Sequence, residues 1–170
     1  ARSMLMALLC DERRYDLAKV GRFKYNRKLG LHDRLVDVVA AEDVIDPNTG
    51  EVLVEAEGLI SREMAMVIED AGVKSVLVHS KIEDEEHKVT KVIGNNFVDP
   101  KKYLDIDLTP YKLSEKVFYP VLMDIIETAG KDEEKLKSEI QARRKELSPK
   151  HIILEDIIAS ISYLINLNRS

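Results

Sequence analysis

A mixed α+β fold, with a small barrel-sandwich-like β module set between helical segments, is what this 170-residue sequence predicts. Three observations carry that reading. Apolar residues recur at helical spacing near the start of the chain and through its last third, whereas the stretch from Leu35 to Ile93 is rich in valine and punctuated by turn residues. Within that stretch, Val52 to Val78 reads as strand, turn, helix and strand in under 30 residues. Its helix has about three turns, too short to cover a doubly wound sheet, so a compact module with a helix tucked against it is the better fit.

Taken in order, Ser3 to Cys10 is an apolar run whose Leu5, Leu8 and Leu9 can share one helical face. Asp16 is placed to cap a second helix, running from Leu17 to about Leu29 with Leu17, Val20 and Phe23 as its apolar stripe, and Gly30 stops it. Leu35 to Val44 and Val52 to Val54 read as strands. Between them, Asp46-Pro47-Asn48-Thr49-Gly50 supplies a proline early in a turn and a glycine where positive φ is cheap. Ser61 caps a helix that ends at Ala71-Gly72; Val73 to His79 and Val89 to Ile93 are further strands, joined by the charged run Lys81 to Lys88.

The last third reads as helical. Ser114 to Ala129 carries Val117, Val121, Leu122, Ile125 and Ile126, and Pro120 either bends that helix or splits it. Asp132 to Leu147 follows after Gly130, with Leu136, Ile140 and Leu147 as a narrow stripe on a charged rod. Ser148-Pro149 breaks the chain. A final helix from about Leu154 to Leu167 presents Ile157, Ile158, Ile161, Leu164 and Ile165 as a broad apolar face that needs a partner.

Charge divides the chain unevenly. There are 31 acidic and 26 basic residues, a formal charge of five negative that rules out a uniformly basic nucleic-acid binder. Residues 1–34 nevertheless carry nine basic and four acidic side chains, so a basic opening segment precedes an acidic body. Cys10 is the single cysteine, which excludes an intrachain disulfide and a multi-cysteine zinc cluster and fits a reducing cytoplasm. No apolar run is long enough for a membrane span and no signal-peptide pattern is present, so no membrane association is expected. The absence of a starting methionine and the stop straight after an apolar helix lead us to expect a piece of a longer protein.

Catalytic patterns are missing. Asp11, Glu12 and Asp16 are neutralised by Arg13 and Arg14 and read as caps and surface ion pairs. Asp105 and Asp107 have a spacing seen in some Mg²⁺ sites but lack a third carboxylate, and the alternation from Leu104 to Leu108 reads as an extended segment with one wet face. His32, His79, His87 and His151 show no metal-ligand spacing, and Gly94-Asn95-Asn96 is too poor in glycine for a phosphate loop. No catalytic residue and no metal ligand is assigned. What remains is a cluster of Arg14, Arg22, Lys24, Arg27 and Lys28 interleaved with Phe23 and Tyr25, the composition of a nucleic-acid contact.

The run Arg14-Tyr15-Asp16-Leu17 through Val20-Gly21-Arg22 to Leu29 resembles a stretch of the bacterial DNA-dependent RNA polymerase β subunit. Glu155-Asp156-Ile157-Ile158 through Leu167 resembles the helix that closes the same region. Between these anchors, Asp46 to Leu53 and Lys91 to Asn96 are similar to a lineage-specific insertion in the lobe region of the clostridia-like form of the subunit, and the β module is similar to small barrel-sandwich modules of the large polymerase subunits. Ile153 departs from the pattern, standing where a Ser or Thr cap is usual.

The resemblance implies a fragment of the β subunit that helps to build the wall of the nucleic-acid channel in a cytoplasmic enzyme, with the rest of β, the β′, α and sigma subunits and the DNA template as partners. It implies no cofactor in this piece; the catalytic Mg²⁺ is expected in β′. Four divisions follow: a helical opening segment at 1–34, a β-rich inserted module at 35–112, a charged helical part of the insertion at 113–150, and a closing helix at 151–170. Leu17, Val20 and Phe23 are expected to pack on Ile157, Ile161 and Leu164. The competing expectation is a free-standing cytoplasmic protein-interaction scaffold that binds its partner through Ile157, Ile161 and Leu164.

Overall fold

The computed structural model describes residues 19–80 and 88–169, and shows three two-stranded antiparallel ribbons flanked by helices. Helix α1 (Lys19–Leu29) leads through a single turn, α2 (His32–Leu35), to a ribbon of β1 (Val44–Ile45) and β2 (Val52–Val54). Helix α3 (Arg62–Asp70) precedes the longest ribbon, β3 (Ser75–His79) paired with β4 (Val89–Ile93). A third ribbon, β5 (Phe97–Val98) with β6 (Val117–Phe118), opens a helical region of α4 (Tyr119–Ala129), α5 (Glu133–Ala142) and α6 (Arg144–Leu147). Helix α7 (Leu154–Arg169) follows. The apolar run Ser3 to Cys10, the Asp16 cap and most of the charged run after Ser80 lie outside the described residues.

Local chemistry explains the first half. The turn between β1 and β2 closes as its residues suggest: the Asp46 amide donates to the Glu51 carbonyl at 2.8 Å, and Gly50 takes φ +77°. Ser61 caps α3 by accepting from the Met64 amide at 3.1 Å. Alternation in β3 buries Val76 and Val78 beside Ile60, Ala65, Ile68, Val44, Val54 and Val92, with Leu31 and Leu35 closing one end.

The expected strand from Leu35 to Val44 forms only in part. Leu35 ends α2, and residues 38–41 run extended between two neighbours, with Ile60 donating to the Val38 carbonyl at 2.8 Å and His79 donating to the Val39 carbonyl at 3.0 Å. That segment bridges Leu59, in the stretch after β2, and Val78 in β3, and the described strands do not close into a barrel.

A second core holds Val98, Leu104, Val117, Leu122, Ile125, Ile140 and Leu147. Here two helices differ from expectation. Residues 114–118 are not helical: Val117 and Phe118 pair with Val98 and Phe97, and the Phe97 and Phe118 rings lie 5.4 Å apart. Pro120 neither bends nor splits a helix but stands in the first turn of α4, where its missing N–H has no partner to lose. The rod from Asp132 breaks at Arg143, whose backbone leaves the helical region while its side chain bonds Glu146 and Asp124.

The two cores meet across a polar joint. Asp70 accepts from the Asp99 amide at 3.0 Å, the Tyr103 hydroxyl donates to the Asp70 carbonyl at 2.5 Å, and the Tyr119 hydroxyl donates to Asn48 at 2.6 Å. Burial pushes the Tyr103 pKa up to about 12, so it stays a donor. Gly72, at φ +89°, lies under Tyr119; a Cβ there would come within 2.4 Å of the ring.

Candidate nucleic-acid interface

Helix α1 has five basic residues and no acidic one, so its surface is cationic wherever its side chains reach solvent. Its buried face is not the expected apolar stripe. Arg22, Asn26 and Leu29 point inward while Phe23 is 40 % exposed, a rotation of the buried face by one residue, or roughly 100°. Polar residues turn inward here because each finds a partner there.

Arg22 is 2 % exposed and Asp156 fully buried. The Nη1 of Arg22 donates to both Asp156 oxygens at 2.9 Å, Nε donates to the Pro149 carbonyl at 3.0 Å, and Nη2 donates to the His151 carbonyl at 2.6 Å. The guanidinium also lies 4.8 Å from the centre of the Phe97 ring. Asn95 donates to Asn26 at 2.9 Å and to Asp156 at 3.0 Å. This anchor joins α1, the β4–β5 loop and α7 around one ion pair whose oxygens and N–H groups are nearly all used, the condition under which a buried pair is tolerated. Asp156 also serves its own helix, because its Oδ2 accepts from the Ile153 amide at 3.0 Å. That bond is the N3-to-N-cap half of a capping box: it satisfies the amide of Ile153 itself, while the side-chain acceptor that a Ser or Thr at 153 would supply stays missing.

The remaining site residues scatter. Arg22, a candidate phosphate contact from its charge, is enclosed in the anchor and offers nothing to solvent. Lys24 and Arg27 are exposed, and no hydrogen bond or ion pair engages either among the described residues. Lys28 is exposed but sits 5.4 Å from the centre of the Tyr163 ring, which Arg34 also approaches, at 5.7 Å. Arg34 donates to the Ile93 carbonyl at 2.8 Å and to Ser162 at 3.1 Å; burial lowers its pKa to about 10, so it remains charged at neutral pH. Arg14 and Leu17 lie outside the described residues, and Val20 stands in the first turn of α1.

On α7, Ile157 packs with Ile152 and Tyr25, and Leu164 is half-buried. Ile161, expected in the core, is 42 % exposed, because α7 turns Ala159, Ser160 and Ser162 inward instead. Small residues let the helix lie close to β4, where Ser162 accepts from the Ile93 amide at 3.0 Å and donates to the Lys91 carbonyl at 3.3 Å. Exposed Ile161 and Ile165 then form, with Val89, the rim of an apolar groove of about 350 Å³.

A second charged cluster lies beside α1. Glu69, buried in α3, accepts from the His32 amide at 3.2 Å and from His32 Nδ1 at 3.0 Å, and bonds Lys116. Lys116 also reaches Asp70 at 3.2 Å, and His32 Nε2 lies 3.1 Å from Asp33. Burial alone would raise the Glu69 carboxyl, yet the His32 bond and the Lys116 charge hold it below the usual glutamate value. The bond from Glu69 raises His32 above the usual histidine value despite its burial. Gly30 makes room for this carboxylate: a Cβ there would lie 2.1 Å from Glu69 Oε1. Sequence reasoning missed Glu69, Lys116, Asn95 and Asp156; only Asp156, three residues after an uncapped Ile153, left a readable trace.

Among the described residues no group of three or more His, Cys, Asp or Glu side chains is placed to hold a metal ion, and no helix is long and apolar enough to cross a membrane.

No protein-family model matches the chain. Curated relatives do. It is 50 % identical over 167 residues to the DNA-directed RNA polymerase subunit beta of Clostridioides difficile, 46 % identical over 167 residues to that of Alkaliphilus oremlandii, and 45 % identical over 169 residues to that of Acetivibrio thermocellus. These matches cover 98–99 % of the chain but only 13 % of each relative, so the chain spans about an eighth of the length of the proteins it resembles.

Proposed function

We propose that the chain is part of the β subunit of a DNA-directed RNA polymerase, in the lobe region, and helps to form the structure around the nucleic-acid channel during RNA synthesis from ribonucleoside triphosphates. The observation that carries this reading is identity of 50 % over nearly the whole chain. Nucleotidyl transfer would belong to the assembled cytoplasmic enzyme, with its Mg²⁺ in β′, and this segment would supply no reacting group. Its partners would be the rest of β, the β′, α and sigma subunits and the DNA template. The exposed Ile161 and Ile165 support burial against another part of such an assembly.

In this reading, residues 1–34 and 151–170 are the anchors, and 35–112 and 113–150 form an insertion whose β part is of the barrel-sandwich kind. Phosphate contact falls to Lys24 and Arg27, the exposed cations of α1, rather than to Arg22. The test is made in the polymerase assembled around the full-length subunit. Lys24→Ala and Arg27→Ala should each weaken nucleic-acid binding with little dependence on sequence and lower the salt slope by about one unit per lost contact. A salt slope unchanged in both variants would move α1 away from the nucleic acid.

A further inference from the structure

Beside the joint between the two cores lies a buried, multiply bonded carboxylate, Glu69, which Lys116 links to the second core and which a histidine meets from the other side. His32 has a carboxylate oxygen at each ring nitrogen: Glu69 at 3.0 Å from Nδ1 and Asp33 at 3.1 Å from Nε2. A neutral imidazole carries one N–H, so it satisfies one of these oxygens and turns a lone pair on the other; the imidazolium donates to both. The geometry therefore selects the charged ring.

The surrounding charges are mixed: the carboxylates Glu69 and Asp33 favour the charged ring, while Lys116 opposes it. Glu69 and Asp70 face the site from α3, Lys116 from the segment before β6, Asp33 from α2, Arg27 from α1, and Glu115 from beside Lys116. Asp33, Arg27 and Glu115 are exposed and screened by water. The inner set is Glu69, Asp70, Lys116 and His32, which sums to zero with His32 protonated and to one negative charge without it. A cleft of about 160 Å³, lined by Phe23, Asn26, Met66 and Glu69 among others, opens onto this set and gives water a route to the unbalanced carboxylates.

We infer that His32 is a proton-dependent strut: its charged ring balances the carboxylates that meet Lys116 and keeps the two cores closed, and loss of the ring charge leaves this buried set one charge negative and loosens the joint. The raised affinity of His32 for its proton agrees with this. The inference does not depend on the proposed role in transcription.

The test uses the full-length protein that carries this chain. Diethyl pyrocarbonate modifies only the neutral ring, so the pH profile of His32 modification, read by mass spectrometry, reports its protonation directly. The midpoint should lie above the ~6.5 of free histidine. Hydrogen exchange at the amides of Asp99 and Val117 to Tyr119, corrected for its intrinsic pH dependence, should accelerate with the same midpoint. His32→Gln, which cannot gain a proton, should abolish that acceleration. A midpoint at or below that of free histidine, joint protection that does not change across the midpoint, or a pH response that survives in His32→Gln would each overturn the inference. The first two are read on the unaltered protein, so the inference stays testable if the variant fails to fold.

Discussion

The anchor at Arg22 and the joint at Glu69 are both buried charge clusters, yet they are built on opposite plans. The anchor holds one arginine whose donors go to an aspartate, an asparagine and two backbone carbonyls, and it ties together elements more than 120 residues apart in sequence. The joint holds two carboxylates, a lysine and a histidine at the edge of a cleft. The first has a guanidinium with nearly every donor committed; the second includes an imidazole, the side-chain type that switches charge most readily with pH. The enclosed cluster and the partly open one thus differ in what can undo them, substitution in one case and pH in the other.

The largest expected effect breaks the anchor. Arg22→Met leaves Asp156 buried without its cation and should lower unfolding free energy by about 3–5 kcal/mol, read as a fall in the denaturant midpoint of the chain. Adding Asp156→Leu should recover much of that loss, since an apolar pair is often no worse than a buried ion pair. If the double variant were no more stable than Arg22→Met, the loss would lie in the other bonds of the cluster, above all the Asp156 cap on Ile153.

Next comes the second core. Leu122→Ala should cost about 2–5 kcal/mol, because Leu122 is fully buried between α4 and α5. Since the joint between the cores is polar, that variant should expose amides of α4 to α6 to hydrogen exchange before those of β3 and β4. Simultaneous loss of both regions would show that they unfold as one unit.

The joint should show a smaller effect with a definite sign. His32 has a raised pKa when folded, so its contribution is fully present below about pH 6.5 and disappears as pH rises through the folded value. Glu69 has a lowered one, so its contribution is present above about pH 4.3 and is lost as pH falls through its folded value. Stability of the chain measured from pH 4 to 9 should therefore have its plateau between these limits, and Glu69→Gln should flatten both shoulders. At the bottom of the scale, Ile161→Ala should change stability by no more than about 0.5 kcal/mol in the isolated chain, as befits a half-exposed residue.

These contrasts also explain what was legible in the sequence. Local signals were clear wherever one residue has one job: Gly50 in its turn, Ser61 at its cap, the alternation of Val76 and Val78. Pattern failed where a polar residue is buried by a distant partner. Arg22 looks like a surface cation until Asp156 is beside it, and its burial rotates α1 so that Phe23 faces water. The β5–β6 ribbon was hidden because Val117 and Phe118 continue the apolar spacing of α4, and only their pairing with Phe97 and Val98 decides the matter. Glu69 and Lys116 give no local sign at all, since their meaning lies 47 residues apart.

Ser162 brings a matter of timing. Its hydroxyl occupies the outer edge of β4 at Lys91 and Ile93, 69 residues upstream of the serine for the Ile93 bond. At a synthesis rate of about 5–20 residues per second, that edge is made roughly 3–14 s before the group that covers it. During that interval a nascent β3–β4 ribbon presents free N–H and C=O groups to any neighbouring strand, on the same polysome or another. Lys88 and Lys91, both exposed on β4 or beside it, put like charges on that edge and discourage pairing between copies until α7 arrives.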